Sequence, residues 1–113
     1  MARTVVIVDD HVPFRASARK LLEVEGYEVI GEAVDAASGI ATVERLRPDF
    51  VLLDVVLPDG NGLDVAERLA GMSKVVLVSS RDRSDFGQRL RRTSAVGFIP
   101  KDELSGERLA ALV

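Results

Sequence analysis

The chain has 113 residues, 47% of them apolar and 29% charged, with a formal net charge of −3. That length favours one domain, residues 1–113, with a core of useful size. The lack of cysteine excludes a disulfide framework, a thiolate metal site and a cysteine nucleophile, and the net acidity argues against nucleic-acid binding by this domain itself.

No apolar stretch approaches the roughly 18 residues that a transmembrane helix needs. Met1-Ala2-Arg3-Thr4 runs straight into the first apolar segment, with no room for a signal peptide. A cytoplasmic protein without a membrane partner is expected. The charge is uneven: residues 1–80 carry 8 basic and 13 acidic groups, or −5, and residues 81–113 carry 7 basic and 5 acidic, or +2.

Strand and helix signals alternate along the chain. Val5-Val6-Ile7-Val8 reads as a buried strand. Pro13 can start a helix, where its missing N–H costs nothing. Phe14, Ala18, Leu21 and Leu22 then form a helical stripe that Gly26 closes. Tyr27 to Ala33 reads as a second strand. Asp35 is a plausible N-cap for a helix whose inner face is Ala36, Ile40 and Val43, and Pro48 stops it. A third strand ends at Asp54.

Leu57-Pro58-Asp59-Gly60-Asn61-Gly62 has the composition of a loop. A short helix follows over about Leu63 to Ala70, with Gly71 at its end. Residues 74–78 form a fourth strand. Ser84 or Asp85 can cap a fourth helix carrying Phe86 and Leu90 one turn apart. Val96 to Ile99 is a fifth strand, and Leu104, Leu109 and Leu112 suggest a last helix, short or truncated. Five such units predict an α/β fold, a doubly wound five-stranded parallel sheet of order 2-1-3-4-5.

The chemistry stands where the strands end. Asp9-Asp10 follow the first, Asp54 the third, Ser79 the fourth and Lys101 the fifth. In open α/β sheets ligands sit at the carboxyl ends of the strands. Three carboxylates, a hydroxyl and an ammonium should therefore meet in one crevice. Such a set can hold a divalent metal and stabilise a phosphoryl group on an aspartate.

These residues resemble the receiver domain of two-component response regulators. The likeness is carried by Asp9-Asp10, by Asp54-Val55-Val56-Leu57-Pro58 with Gly62, by Ser79 and by Lys101. Asp9-Asp10-His11 and Gly97-Phe98-Ile99-Pro100-Lys101-Asp102 resemble the subfamily that often carries a helix-turn-helix output domain. The resemblance implies a flavodoxin-like receiver fold and a phosphorelay role in transcription regulation. Asp54 would accept a phosphoryl group from a sensor histidine kinase or phosphotransfer protein, forming a labile acyl phosphate. Asp9, Asp10, Asp54 and the Val56 carbonyl would hold Mg²⁺, with Mn²⁺ as a substitute. Lys101 and Ser79 would contact phosphoryl oxygens, and Ser79 and Phe98 would form the switch. Such a domain assists its own phosphorylation and dephosphorylation but is a signalling unit, not an enzyme.

Simpler readings stand beside these. Phe98 can be plain core. Ser80 can serve instead of Ser79, or stand at the rim. His11 reads as a loop or helix-start residue, since Mg²⁺ prefers oxygen. Asp59 reads as a loop acid and Asp64 as a helix-start acid. Arg81, Arg83, Arg89, Arg91 and Arg92 are a solvated face or, by resemblance, an output or homodimer surface near the fourth helix. An aspartate-nucleophile phosphohydrolase usually has a second aspartate two residues after the first, where this chain has Val56. A flavodoxin-like cofactor binder would need a phosphate loop that is missing after the first strand. A phosphorylation-independent interaction module is the remaining alternative. Asp102 follows Lys101 where many receivers have a cis proline, so another feature must place the lysine.

Overall fold

The computed structural model describes residues 2–81 and 83–113; Met1, Asp82 and the side chain of Arg83 lie outside the described residues. The elements in chain order are β1 (Thr4–Val8), α1 (Val12–Val24), β2 (Glu28–Ala33), α2 (Ala36–Leu46), β3 (Phe50–Asp54), β4 (Val56–Leu57), β5 (Gly60–Asn61), α3 (Gly62–Leu69), β6 (Lys74–Ser79), α4 (Gln88–Arg91), β7 (Gly97–Pro100) and α5 (Gly106–Ala110). The main sheet is parallel, in the order β2-β1-β3-β6-β7. This is the expected 2-1-3-4-5 order. The labels shift because β4 and β5 pair separately, as a small antiparallel hairpin.

The strands alternate their side chains between two apolar layers, as the two-residue period of a strand requires. Val6, Val8, Val51, Leu53, Val75, Leu77 and Phe98 face the layer that holds α2 and α3. Val5, Ile7, Phe50, Leu52, Val76, Val78 and Ile99 face the layer of α1 and α5, with Ala18, Leu22 and Leu109. Each fully buried Leu, Ile or Phe contributes about 1.5–3 kcal/mol, so this double-sided sheet is the main source of stability. It also makes a rigid support for the loops at its carboxyl edge.

Local chemistry explains the helix ends. Gly26 takes φ +92 just past α1, a conformation in which a Cβ would be strained. Asp35 accepts a hydrogen bond from Ser38 N–H at 2.8 Å as the N-cap of α2. Asn61 does the same for Leu63 N–H at the start of α3, also at 2.8 Å. Asp59 is more than a loop acid. Its carboxylate accepts the N–H groups of Ala36 and Ala37, at 2.7 and 3.1 Å, so the hairpin is tied to the first turn of α2. Those two donors hold the Asp59 carboxyl below its ordinary pKa.

Three expectations need correction. The segment 57–62 is not all loop, because Leu57, Gly60 and Asn61 join the hairpin. The fourth helix does not run from Ser84 or Asp85 through Leu90. Arg83–Asp85 form a 3₁₀ turn, Gly87 takes φ +59, and only Gln88–Arg91 are α-helical, so Phe86 lies outside α4. The break falls at a glycine whose positive φ no helix continues through. In the last helix, Ser105 is the N-cap, and Leu104 and Leu112 flank the helix instead of belonging to it.

Candidate functional site

Strand register gathers the site. Val8 pairs with Leu53 across β1 and β3, which sets Asp9 level with Asp54. Asp54 pairs with Val78 on β6, one residue before Ser79. Ser79 pairs with Pro100 on β7, one residue before Lys101. All the expected residues thus stand within about one residue step of one sheet edge.

The carboxylates come together as expected. One oxygen from each of Asp9, Asp10 and Asp54 can be chosen so that all three lie within 4.8 Å of one another. Asp9 is 0% exposed, Asp54 is 5% exposed, and Asp10 is open to solvent. Asp9 Oδ1 accepts His11 N–H at 2.8 Å, and Asp54 Oδ1 accepts Val56 N–H at 3.1 Å. Lys101 Nζ bridges the two buried acids, 2.8 Å from Asp9 Oδ2 and 3.1 Å from Asp54 Oδ2. The lysine was expected beside Asp54; Asp9 is an equally close partner.

The electrostatics follow from that crowding. Burial raises the pKa of Asp54, and the charge of Asp9 adds to the rise. The Val56 N–H and the charge and hydrogen bond of Lys101 oppose it without cancelling it. Burial works against the charge on Lys101, but its contacts with Asp9 and Asp54 outweigh that and raise its pKa. With every group ionised, three carboxylates and one ammonium leave two negative charges uncompensated.

A divalent cation fits this set on chemical grounds. Asp9 Oδ2 is fully buried and touches Lys101, yet no described group gives it an aligned hydrogen bond. A buried carboxylate oxygen facing a single ammonium keeps acceptor capacity for a second cation. An oxygen-only ligand set with net charge −2 is what Mg²⁺ takes, keeping several waters. Asp9, Asp10 and Asp54 could hold it.

The remaining residues are placed as follows. Ser79 is 1% exposed, and its Oγ accepts Arg81 N–H at 3.1 Å. Ser80 is exposed and lines the groove beside Asp54, at the rim. Val56 is 46% exposed at the start of the hairpin. Phe98 is buried, edge-on to Phe86 with ring centroids 5.8 Å apart. Lys101 opens the 3₁₀ turn Lys101–Glu103, and extended backbone at Pro100 leads into it. That turn is the feature that places the lysine. His11 is the exposed N-cap residue of α1. Arg81, Arg89, Arg91 and Arg92 are exposed; Arg89 pairs with Asp64 of α3.

Two contributors escape sequence reasoning. Arg15 donates to the Asp9 carbonyl at 2.7 Å and pairs with Glu32 at 3.1 Å, which ties α1 to the end of β1. Phe14, read as part of a core stripe, faces Lys101. Its place one turn after Asp10 is the only sequence signal that it borders the site. Asp10, Phe14, Ala18, Leu57, Lys101 and Leu104 are among the residues lining an open groove of about 1000 Å³ beside Asp54.

The comparisons with known proteins agree with this geometry. Residues 5–113 match the family described as the response regulator receiver domain, and the chain belongs to that family, a family of signalling domains. It is 35% identical over 106 residues to BvgA, a transcription regulator of virulence factors from Bordetella pertussis, covering 91% of this chain and 51% of that protein. It is 32% identical over 110 residues to EvgA, a DNA-binding transcriptional activator from Escherichia coli, covering 95% of this chain and 54% of that protein. The chain spans about half the length of these relatives. Among solved structures, the signal receiver domain of the response regulator NarL from Mycobacterium tuberculosis superposes with a TM-score of 0.87 at 30% identity, covering 97% of this chain and 92% of that one.

Proposed function

We propose that Asp54 is the phosphoacceptor of this receiver domain, and that residues 1–113 work as one phospho-accepting unit. The observation that carries this reading is the bridge of Lys101 between buried Asp9 and Asp54, at the sheet edge where Asp10 and Ser79 also stand. An Asp54 carboxylate oxygen attacks the phosphorus of a phosphohistidine on a sensor kinase or phosphotransfer protein. An O–P bond forms, the P–N bond breaks, and the imidazole leaves with the electron pair and takes up a proton.

Asp9, Asp10, Asp54 and the Val56 carbonyl would hold Mg²⁺, which when bound would supply charge compensation for the incoming phosphoryl oxygens. Lys101 already touches Asp54 and needs only a small shift to pair with one of those oxygens. Ser79 donates a hydrogen bond from its hydroxyl to another. Phosphorylation adds charge and acceptor oxygens, and the movement of Ser79 strains its contact with Arg81 N–H, which leads into the segment before α4. Phe98 and Phe86 pass that change to the exposed arginines near α4, the surface for an output domain or a second copy. The domain acts in the cytoplasm as a switch for transcription without turning over a substrate of its own.

Intact-mass spectrometry after incubation with acetyl phosphate tests this. A single phosphoryl adduct is expected that needs Mg²⁺ and is absent in Asp54→Asn. No adduct with the fold intact would favour a phosphorylation-independent interaction module, and steady phosphate release would favour a phosphohydrolase.

A further inference from the structure

Lys101 Nζ is held from three sides. Two are the carboxylates of Asp9 and Asp54. The third is the ring of Phe14, whose centroid lies 4.5 Å from the ammonium. The negative face of an aromatic ring attracts a cation at this range. Phosphoryl transfer as derived above makes no use of that ring.

The helix turn that carries the ring is anchored to the end of β1, whereas the lysine reaches the site on a long stem. Phe14 lies in the first turns of α1, and its neighbour Arg15 anchors them twice. The Arg15 backbone N–H donates to His11 O at 3.1 Å, and its guanidinium donates to Asp9 O at 2.7 Å. Phe14 also packs against the apolar layer that includes Leu22 and Ile99. Its position is therefore registered to the strand end that carries Asp9. Lys101 reaches the acids on a flexible four-carbon stem from the turn after β7. A lysine on such a stem has many rotamers, and the ring face removes those that point away from the cluster.

We propose that Phe14 is a positioning residue for Lys101: its ring holds the ammonium over the acid cluster, so the charge is in place when phosphoryl oxygens arrive at Asp54. The effect on rate rests on Asp54 being the phosphoacceptor; the contact itself does not. Leucine fills much of the same space but has no quadrupole, whereas tyrosine keeps it.

The experiment compares the wild-type chain, Phe14→Leu and Phe14→Tyr, each first shown to be folded by thermal unfolding. Acetyl phosphate is the donor, because a small donor does not need the groove as a docking surface. The initial rate of adduct formation should fall about fivefold in Phe14→Leu and stay within about twofold of wild type in Phe14→Tyr. The second readout needs no phosphorylation. The Lys101 Hε resonances should be shifted upfield by the ring in wild type and Phe14→Tyr, and return to ordinary lysine positions in Phe14→Leu. A wild-type rate in Phe14→Leu overturns the positioning role, as does an equal loss in both variants, which would mark a packing residue. If the wild type takes no phosphoryl group, the phosphoacceptor reading fails and the resonances alone decide: no upfield shift in wild type overturns the contact.

Discussion

At Asp54, burial and the neighbouring Asp9 charge push one way, and Lys101 and Val56 N–H push the other. The net direction is a pKa above the ordinary carboxylate value. An acid whose folded pKa exceeds its unfolded one destabilises the fold when ionised. That penalty is in force above the folded pKa and disappears as pH falls below the unfolded value near 4. Asp54→Asn removes the charge and nearly keeps the shape. In metal-free buffer at pH 7.5 the variant should therefore unfold at a higher urea concentration than wild type. The difference should shrink toward zero as pH is lowered to about 4. A lower midpoint for the variant at pH 7.5 would mean that its contacts with Lys101 and Val56 outweigh the cost of burial.

Between elements, the closest approach of a glycine to another segment's backbone is at Gly62, the first residue of α3. A Cβ there would stand 2.2 Å from the Asp54 carbonyl oxygen and 2.7 Å from Val55 Cα, both backbone atoms that cannot swing aside. Gly62 N–H also donates to Val55 O at 2.6 Å. The helix start is thus pressed against the loop that follows Asp54. Gly62→Ala should cost at least about 2 kcal/mol by chemical denaturation, as overpacking against unyielding atoms does. It should also slow adduct formation at Asp54, by displacing that loop. A variant as stable and as reactive as wild type would show that α3 can slide without consequence.

These elements also show what the sequence makes legible. Four of the five sheet strands are readable because each is a short apolar run that ends in a polar residue, and the site is readable because those four endings are the site. The hairpin Val56–Leu57 with Gly60–Asn61 is not, since two-residue strands have no periodicity to detect. The fourth helix misleads because Ser84 and Asp85 are good caps and Phe86 and Leu90 have helical spacing, while the backbone turns at Gly87. Phe14 has the spacing of a core residue and partly is one. Its second contact depends on a lysine 87 positions later, which no local pattern can reveal.

On the scale of the whole molecule, the sheet holds like charges together that would separate in an unfolded chain. Apolar burial on both faces of five strands supplies the stabilisation that offsets this local repulsion. A divalent cation should relieve it and bind the folded state alone, because Asp9 and Asp54 are 45 residues apart in sequence and meet only when β1 and β3 pair. Binding of that kind stabilises by RT ln(1 + [L]/Kd), about 1.4 kcal/mol at a tenfold excess over the dissociation constant. For a domain of this size that raises the melting temperature by roughly 4–8 °C. Mg²⁺ should produce such a rise in wild type, and a chelator should reverse it. In Asp10→Asn the rise should be much smaller, since an exposed carboxylate of the cluster is lost while the buried core is untouched. An equal rise in the variant would place the ion elsewhere on this acidic surface and remove Asp10 from the ligand set.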